Sequence, residues 1–262
     1  MNNAPIGIFD SGKGGLTVLE QIKKQLPRES VIYYGDVARV PFGGRSPAEI
    51  IQINFEIISY LMERGVKLVI IACNTSSALA IEEDKQKFAI PIVGMIQPGS
   101  QAAVKATKNG KIGVLATEAT VKRHTYKKNI QKIDSSVQVS EVACPKLVPL
   151  VEAGSFSGRE VRKALQEYLS VLSQAGVDTI VHGCTHYPFL EEEMRKIMGG
   201  VSYVDPAVDT VQETKRILVE KKLLADNEQP HIEYVISQNE GGKYVRVDGR
   251  EYLFRSAPAY RQ

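Results

Sequence analysis

Two cysteines stand where an apolar run gives way to short polar residues. One run is Leu68-Val69-Ile70-Ile71-Ala72-Cys73-Asn74-Thr75, the other Thr179-Ile180-Val181-His182-Gly183-Cys184-Thr185-His186. A helix beginning just after such a thiol would draw its pKa down toward the thiolate through the N-terminal dipole. Either cysteine alone reads as a small buried hydrophobe. Matched positions change that reading. If the two sulfurs face one another across a cleft, one can take a proton from one face of a carbon and the other can return a proton to the opposite face. A thiol/thiolate pair can exchange these parts, so the reaction would run in both directions. A disulfide is the alternative, but three cysteines without a CxxC fit a reducing compartment better.

Other polar residues would complete such a site. In Asp10-Ser11-Gly12-Lys13-Gly14-Gly15 the glycines would let backbone N–H groups approach an anion at a helix N-terminus. The segment is neither a Walker A loop nor a GxGxxG fingerprint. Asp10 would orient or deprotonate a neighbour, or else cap a helix. Asn74-Thr75 and Thr185-His186 offer short groups for the carboxylate and amine of a small zwitterion. His186, two residues from Cys184, would tune it or supply a proton, or would be a satisfied structural histidine. Glu152, within Pro149-Leu150-Val151-Glu152-Ala153-Gly154, reads equally as a working carboxylate or a helix-end charge. Cys144 has no counterpart in the first cysteine run's surroundings and precedes a proline, so it reads as structural. The basic run from Lys122 to Lys128 reads as a solvated helix face; no aromatic platform accompanies it, which argues against a nucleic-acid partner. The four histidines have no zinc spacing, and neither a metal nor a cofactor is expected.

The elements that must position these residues form a regular pattern. Strands are expected at Ile6–Phe9, Val31–Tyr34, Leu68–Ala72, Ile92–Gly94, Lys111–Leu115, Val137–Val142, Thr179–His182 and Ser202–Val204. Amphipathic helices are expected between them, as in Pro47–Arg64, where Ile50, Ile51, Phe55, Ile58 and Leu61 recur at helical spacing, and in Gly158–Ala175. Ser46-Pro47 reads as an N-cap followed by proline at the first helical position. The alternation predicts an α/β fold with mostly parallel sheet, whose ligands sit beyond the carboxyl ends of the strands. The pattern also repeats: 66 residues separate Gly7 from Cys73 and 71 separate Gly113 from Cys184, while 20 separate Cys73 from Val93 and Cys184 from Val204. Two similar α/β domains facing one another are expected. Glu233–Phe254, with Gly241-Gly242, reads as a β-hairpin of unassigned position.

The 262 residues allow at most about two domains. The chain is 43% hydrophobic and carries a net charge of +3, which excludes disorder and collagen and predicts no polyanionic partner. The strongest apolar run, Leu68 to Cys73, is far too short to span a bilayer, and the N-terminus lacks a signal-peptide pattern. A cytoplasmic protein with no membrane partner is expected.

Five blocks carry a resemblance: Gly7 through Val18; Asp36-Val37-Ala38-Arg39-Val40-Pro41-Phe42-Gly43; Ala72 through Ala78; Ala143-Cys144-Pro145 through Glu152; and Gly183-Cys184-Thr185-His186-Tyr187-Pro188. Together they resemble the glutamate racemase family, within the broader aspartate/glutamate racemase superfamily. The resemblance implies a cofactor-independent enzyme that interconverts L- and D-glutamate, supplying D-glutamate for peptidoglycan. It implies two pseudo-symmetric, doubly wound domains with the active site in the cleft. The first would be residues 1–96 plus 208–262, taking back the C-terminal segment, and the second 97–207. It makes Cys73 and Cys184 the catalytic thiols, serving the D- and L-forms respectively, with Asp10, His186 and Glu152 assisting. Substrate contacts carry over to Asp10, Ser11, Pro41, Phe42, Gly43, Asn74, Thr75, Thr185 and His186, with Thr117 and Thr120 on a nearby threonine-containing loop. The partner is the small-molecule substrate, and a homodimer is expected. Phe42 departs from the tyrosine usual in the family; a lost buried hydroxyl hydrogen bond there would cost about 1 kcal/mol. A racemase of aspartate or another amino acid, and a cleft protein that only binds a small anion, are the alternatives.

Overall fold

The computed structural model describes residues 2–240 and 243–248. The first half of the chain runs β1 (Ile6–Asp10), α1 (Leu16–Gln25), β2 (Val31–Gly35), α2 (Pro47–Glu63), β3 (Leu68–Ile71), α3 (Asn74–Lys87), β4 (Ile92–Gly94) and α4 (Ile96–Ala106). The second half runs β5 (Lys111–Ala116), α5 (Glu118–Arg123), α6 (Thr125–Ile133), β6 (Gln138–Ala143), α7 (Leu147–Glu152), α8 (Arg159–Gln174), β7 (Thr179–Gly183), α9 (Glu191–Ile197) and β8 (Ser202–Val204). It is followed by α10 (Pro206–Glu220), β9 (Ile232–Glu240) and β10 (Lys243–Asp248).

Two sheets result, of strand order β10-β9-β2-β1-β3-β4 and β6-β5-β7-β8. All pairings are parallel except that of β10 with β9. The order β2-β1-β3-β4 is the order β6-β5-β7-β8 repeated, so the internal repeat of the sequence is a repeat of topology. Its consequence is positional. Cys73 follows β3 and Cys184 follows β7, the equivalent strands, so each thiol stands at the carboxyl edge of its own sheet, where open parallel sheets place ligands.

Both faces of each sheet are covered, as continuous apolar strands require. In β1, Ile6 and Ile8 pack with α1 and α10, while Phe9 packs with α2 and the far side of β3. In β5, Ile112 and Val114 pack with Tyr126 and Ile130 of α6, and Leu115 packs with α8. Although α10 follows the second sheet in sequence, it buries Ala207, Val211 and Leu218 among residues of the first. β9 then pairs with β2 in parallel, Val31 opposite Ile232 and Gly35 opposite Ile236. The expected hairpin corresponds to β9 and β10; its residues 241–242 and 249–254 lie outside the described residues.

Local signals act as expected at α2. The Ser46 hydroxyl accepts from the Glu49 N–H at 3.3 Å and the Glu49 carboxylate accepts from the Ser46 N–H at 2.9 Å, a reciprocal capping box with Pro47 at the first position. The buried face is rotated from the expected one. Ile50, Ile58 and Leu61 are in the core as expected, joined by Ile53, Asn54 and Ile57, whereas Ile51 and Phe55 lie at its margin. Phe55 instead meets the Phe88 ring edge-on at 5.7 Å. The basic run also differs from a single solvated helix face. His124, at φ 52°, breaks it into α5 and α6, and Tyr126 in its middle is fully buried. Among the described residues no helix is long and apolar enough to cross a membrane.

Candidate active site

Cys73 caps α3 at its N-terminus and is 5% exposed. Its Sγ lies 4.0 Å from the Ser11 hydroxyl, on the loop that follows β1. The expected drop in its pKa is overturned. Burial, reinforced by the Asp10 carboxylate, pushes the Cys73 thiol up to about 12 against the favourable N–H and hydroxyl of Ser76. Desolvation of a thiolate here outweighs the helix N-terminus. Cys73 is therefore a thiol at neutral pH, and a strong base once it has lost its proton.

Cys184 directly follows β7 and is 7% exposed. No full helix follows it. Tyr187–Leu190 form a 3-10 turn before α9 begins at Glu191, so the expected helix dipole is not what acts on this thiol. A histidine stands there instead: His186 Nδ1 is 3.6 Å from Cys184 Sγ. The other ring nitrogen, Nε2, is 2.6 Å from Glu152 Oε1, at the last residue of α7. Burial works to lower the His186 pKa, but its contacts with Cys184 and Glu152 prevail and raise it to about 10. Burial likewise works to raise Glu152, but His186 and the Lys13 N–H hold its carboxyl below the usual range. At neutral pH the pair is an imidazolium and a carboxylate. Glu152 and His186 are bonded to each other, and the ring's other nitrogen faces Cys184.

Asp10 joins the two halves. Its Oδ2 accepts from the Gly12 N–H at 3.0 Å, and its Oδ1 accepts from the Thr185 hydroxyl at 3.2 Å. It does not cap α1, whose N-cap is Gly15. The glycines of this loop also allow close packing. A Cβ on Gly12 would fall 2.7 Å from Glu152 Oε1, and one on Gly14 would collide with Thr185 and sit 2.8 Å from His186 Nδ1. The loop lies directly against the residues that follow β7.

Between the halves lies a cavity of about 220 Å³. Ser11, Pro41, Phe42, Gly43, Cys73, Asn74 and Thr75 line it from the first half, and Thr117, Cys184, Thr185 and His186 from the second. Of the residues expected at the site, Asp10, Glu152 and Thr120 do not line the cavity. Each instead bonds a residue that does: Asp10 to Thr185, Glu152 to His186, and Thr120 to Thr117 through hydroxyls 3.0 Å apart. The Thr75 and Thr117 hydroxyls are also 3.0 Å apart, and the Ala119 N–H donates to the Gly43 carbonyl at 3.3 Å, so the walls are bonded to each other at two places. Phe42 is 2% exposed and packs into the core beneath α2 while touching the cavity. Among the described residues no cluster of three or more His, Cys, Asp or Glu side chains is arranged to hold a metal ion.

Sequence reasoning missed part of the wall. Cys144, Pro145, Val148 and Pro149 line the cavity opposite the first half, giving it an apolar side. Cys144 keeps a structural contact, its Sγ 3.4 Å from the Val142 carbonyl oxygen, but it stands on the cavity wall. The signal lies in the block from Ala143 to Glu152, whose two prolines and Val148 reach the cavity together with Cys144.

Residues 6–214 match the family described as Asp/Glu/Hydantoin racemase. A glutamate racemase of Trichodesmium erythraeum is 46% identical over 235 residues, covering 89% of this chain and 86% of that protein. One of Geobacter metallireducens is 44% identical over 247 residues, covering 94% and 91%. The crystal structure of glutamate racemase from Francisella tularensis in complex with D-glutamate superposes with a TM-score of 0.86 at 34% identity, covering 92% of this chain and 91% of that one.

Proposed function

The chain belongs to the Asp/Glu/Hydantoin racemase family, and from this we propose that it interconverts L- and D-glutamate by passing the α-proton between Cys73 and Cys184. The observation that carries the reading is that these two thiols, on equivalent edges of two like sheets, line one cavity. Glutamate as the substrate is supported by the relatives' identity over most of both chains and by the D-glutamate complex of the Francisella protein. No observation favours aspartate.

In one direction Cys184, as thiolate, removes the α-proton of L-glutamate and becomes a thiol. Cys73, a thiol at neutral pH, gives its proton to the opposite face of the planar carbanion and is left as thiolate. The product is D-glutamate. In the other direction Cys73 thiolate takes the proton of D-glutamate, and its raised pKa makes it a stronger base than an ordinary cysteine. His186, kept protonated by Glu152, stabilises the negative charge on Cys184 whenever that residue has given up its proton. Asn74, Thr75 and Thr185 supply donors for the substrate carboxylates; those on the α-carboxylate also stabilise the charge that builds up there as the carbanion forms. The role of the product is supply of D-glutamate for peptidoglycan.

We also take residues 1–96 plus 208–262 and residues 97–207 as the two domains. The packing of α10 on the first sheet and the pairing of β9 with β2 support this division. A cleft between two such bodies can close on its ligand and exclude water.

The test is proton NMR of L- and, separately, D-glutamate with the purified protein in D2O under reducing conditions without added cofactor, with circular dichroism of the same samples. Loss of the α-proton signal and decay of optical activity toward zero from both enantiomers is the expected outcome. Retention of both would overturn the proposal.

A further inference from the structure

Asn74 lines the cavity next to Cys73, and its side-chain amide is divided between two environments. Oδ1 accepts a hydrogen bond of 2.6 Å from the Tyr126 hydroxyl, while Nδ2 is buried and has no partner. Tyr126 comes from α6 in the second half of the chain, 52 residues away, and is fully buried. It is surrounded tightly: a Cβ on Gly99 would fall 3.3 Å from the hydroxyl, and Ile112, Val114 and Ile130 belong to the same apolar cluster. Among the described residues, Asn74 is the sole acceptor for this hydroxyl.

An asparagine amide offers an acceptor at one end and donors at the other, and which end faces a ligand is decided by what holds the opposite end. A buried phenol must place its proton on an acceptor, or pay for leaving it unmatched. Tyr126 therefore fixes Asn74 with Oδ1 inward and leaves the Nδ2 donors as the polar group free for a ligand. We infer that Tyr126 is a positioning residue: it orients the Asn74 amide so that Nδ2 presents N–H to a substrate carboxylate, across the junction of the two halves. This rests on the glutamate reading above, since a carboxylate is what an unpaired buried donor beside two thiols would meet. The arrangement has a second effect. Because the bond joins α6 to α3, a substrate that engages Nδ2 is held by a residue whose orientation depends on both halves being in register.

The experiment is steady-state kinetics of Tyr126→Phe, Asn74→Ala and the double variant, with thermal melting to establish that each is folded. Loss of one hydrogen bond to the anchoring group predicts a rise in KM of about 5- to 10-fold in Tyr126→Phe with kcat within about 3-fold. The double variant should be no worse than Asn74→Ala, because Tyr126 acts only through Asn74. An unchanged KM in Tyr126→Phe, or effects that add in the double variant, would overturn the inference. Side-chain amide NMR of the ligand-free protein separates this from the activity itself. The Asn74 amide signals should shift and broaden in Tyr126→Phe even if wild type racemises nothing, a result that would count against the proposed reaction alone. Asn74 signals identical in wild type and Tyr126→Phe would overturn the positioning role whatever the activity.

Discussion

Glu152 Oε1 lies 2.6 Å from His186 Nε2, on the edge of the ring opposite the Nδ1 that faces Cys184. A carboxylate at the end of one helix thereby helps hold the proton on the imidazole that touches one of the two thiols. Among the described residues no histidine stands against the other thiol, which is governed by burial and the Asp10 carboxylate. The site is symmetric in topology and asymmetric in electrostatics.

The two thiols should be separately indispensable. Cys73→Ser and Cys184→Ser are each expected to lower racemisation by at least about 100-fold, the lower range for removing a positioned acid or base. The remaining thiol should still exchange the α-proton of a single enantiomer with solvent. Deuterium incorporation from L- and D-glutamate, followed separately for each variant, checks this; full turnover in either would sink the two-base scheme.

Glu152→Gln should remove one of the two contacts that hold the His186 pKa up, leaving Cys184 to oppose burial, so the value should fall. In wild type His186 holds its proton to about pH 10, against an ordinary value of 6.5. Its contribution to stability is therefore complete below about pH 6.5 and is lost as pH rises toward 10. In the variant that alkaline loss of stability should set in at lower pH, and turnover should decline at lower pH than in wild type. Melting and kcat profiles between pH 6 and pH 10.5 or so provide the check; superimposable profiles would refute the pairing.

Gly14→Ala should disable the enzyme more than it unfolds it. The added Cβ would collide with Thr185 and sit 2.8 Å from His186 Nδ1, displacing the second half's catalytic edge. A fall in kcat/KM of about 100-fold is expected for misplacement on the ångström scale. Comparison of kcat/KM and melting temperature between Gly14→Ala and wild type tests whether the clash is local: a melting temperature lowered as severely as the activity would mean that it is not.

Stability should also depend on a group remote from the cavity. Asp84 is fully buried, accepts from Asn54 Nδ2 at 2.7 Å, and is pushed by burial up to about 7. Its folded value exceeds the ordinary 3.8, so the folded chain binds the extra proton between these limits, and this term loses stability as pH rises from about 4 to 7. Asp84→Asn removes the titration. Denaturant melts at pH 5 and pH 8 or so should show a smaller difference in the variant than in wild type; an equal difference would mean Asp84 is ionised throughout.

Much of the architecture was legible along the chain because its causes are local. The β-branched runs, Ser46-Pro47 and the alternation of strands with amphipathic segments identify elements whose bounds the structure moves by a residue or two. The rotated face of α2 shows the limit: periodicity locates a helix, but the partner packed against it decides that Asn54 is inside and Phe55 at the margin. The two cysteine runs pointed to two-thiol chemistry because equivalent strands in a repeated parallel order must end on equivalent edges.

What the sequence determined by itself is therefore the set of groups and the edges on which they stand. Their states were decided by the tertiary structure. Thr185 meets Asp10 across 175 residues, Glu152 meets His186 across 34, and Tyr126 meets Asn74 across 52. None of these separations has a periodicity to betray it. The Cys73 thiol is protonated because the folded protein excludes water from it, and the imidazolium stands because Cys184 and the Glu152 carboxylate are both brought against it. Desolvation and long-range juxtaposition come into being only when the two halves close on each other, so the charge on each of these groups is a property of the fold rather than of its local sequence.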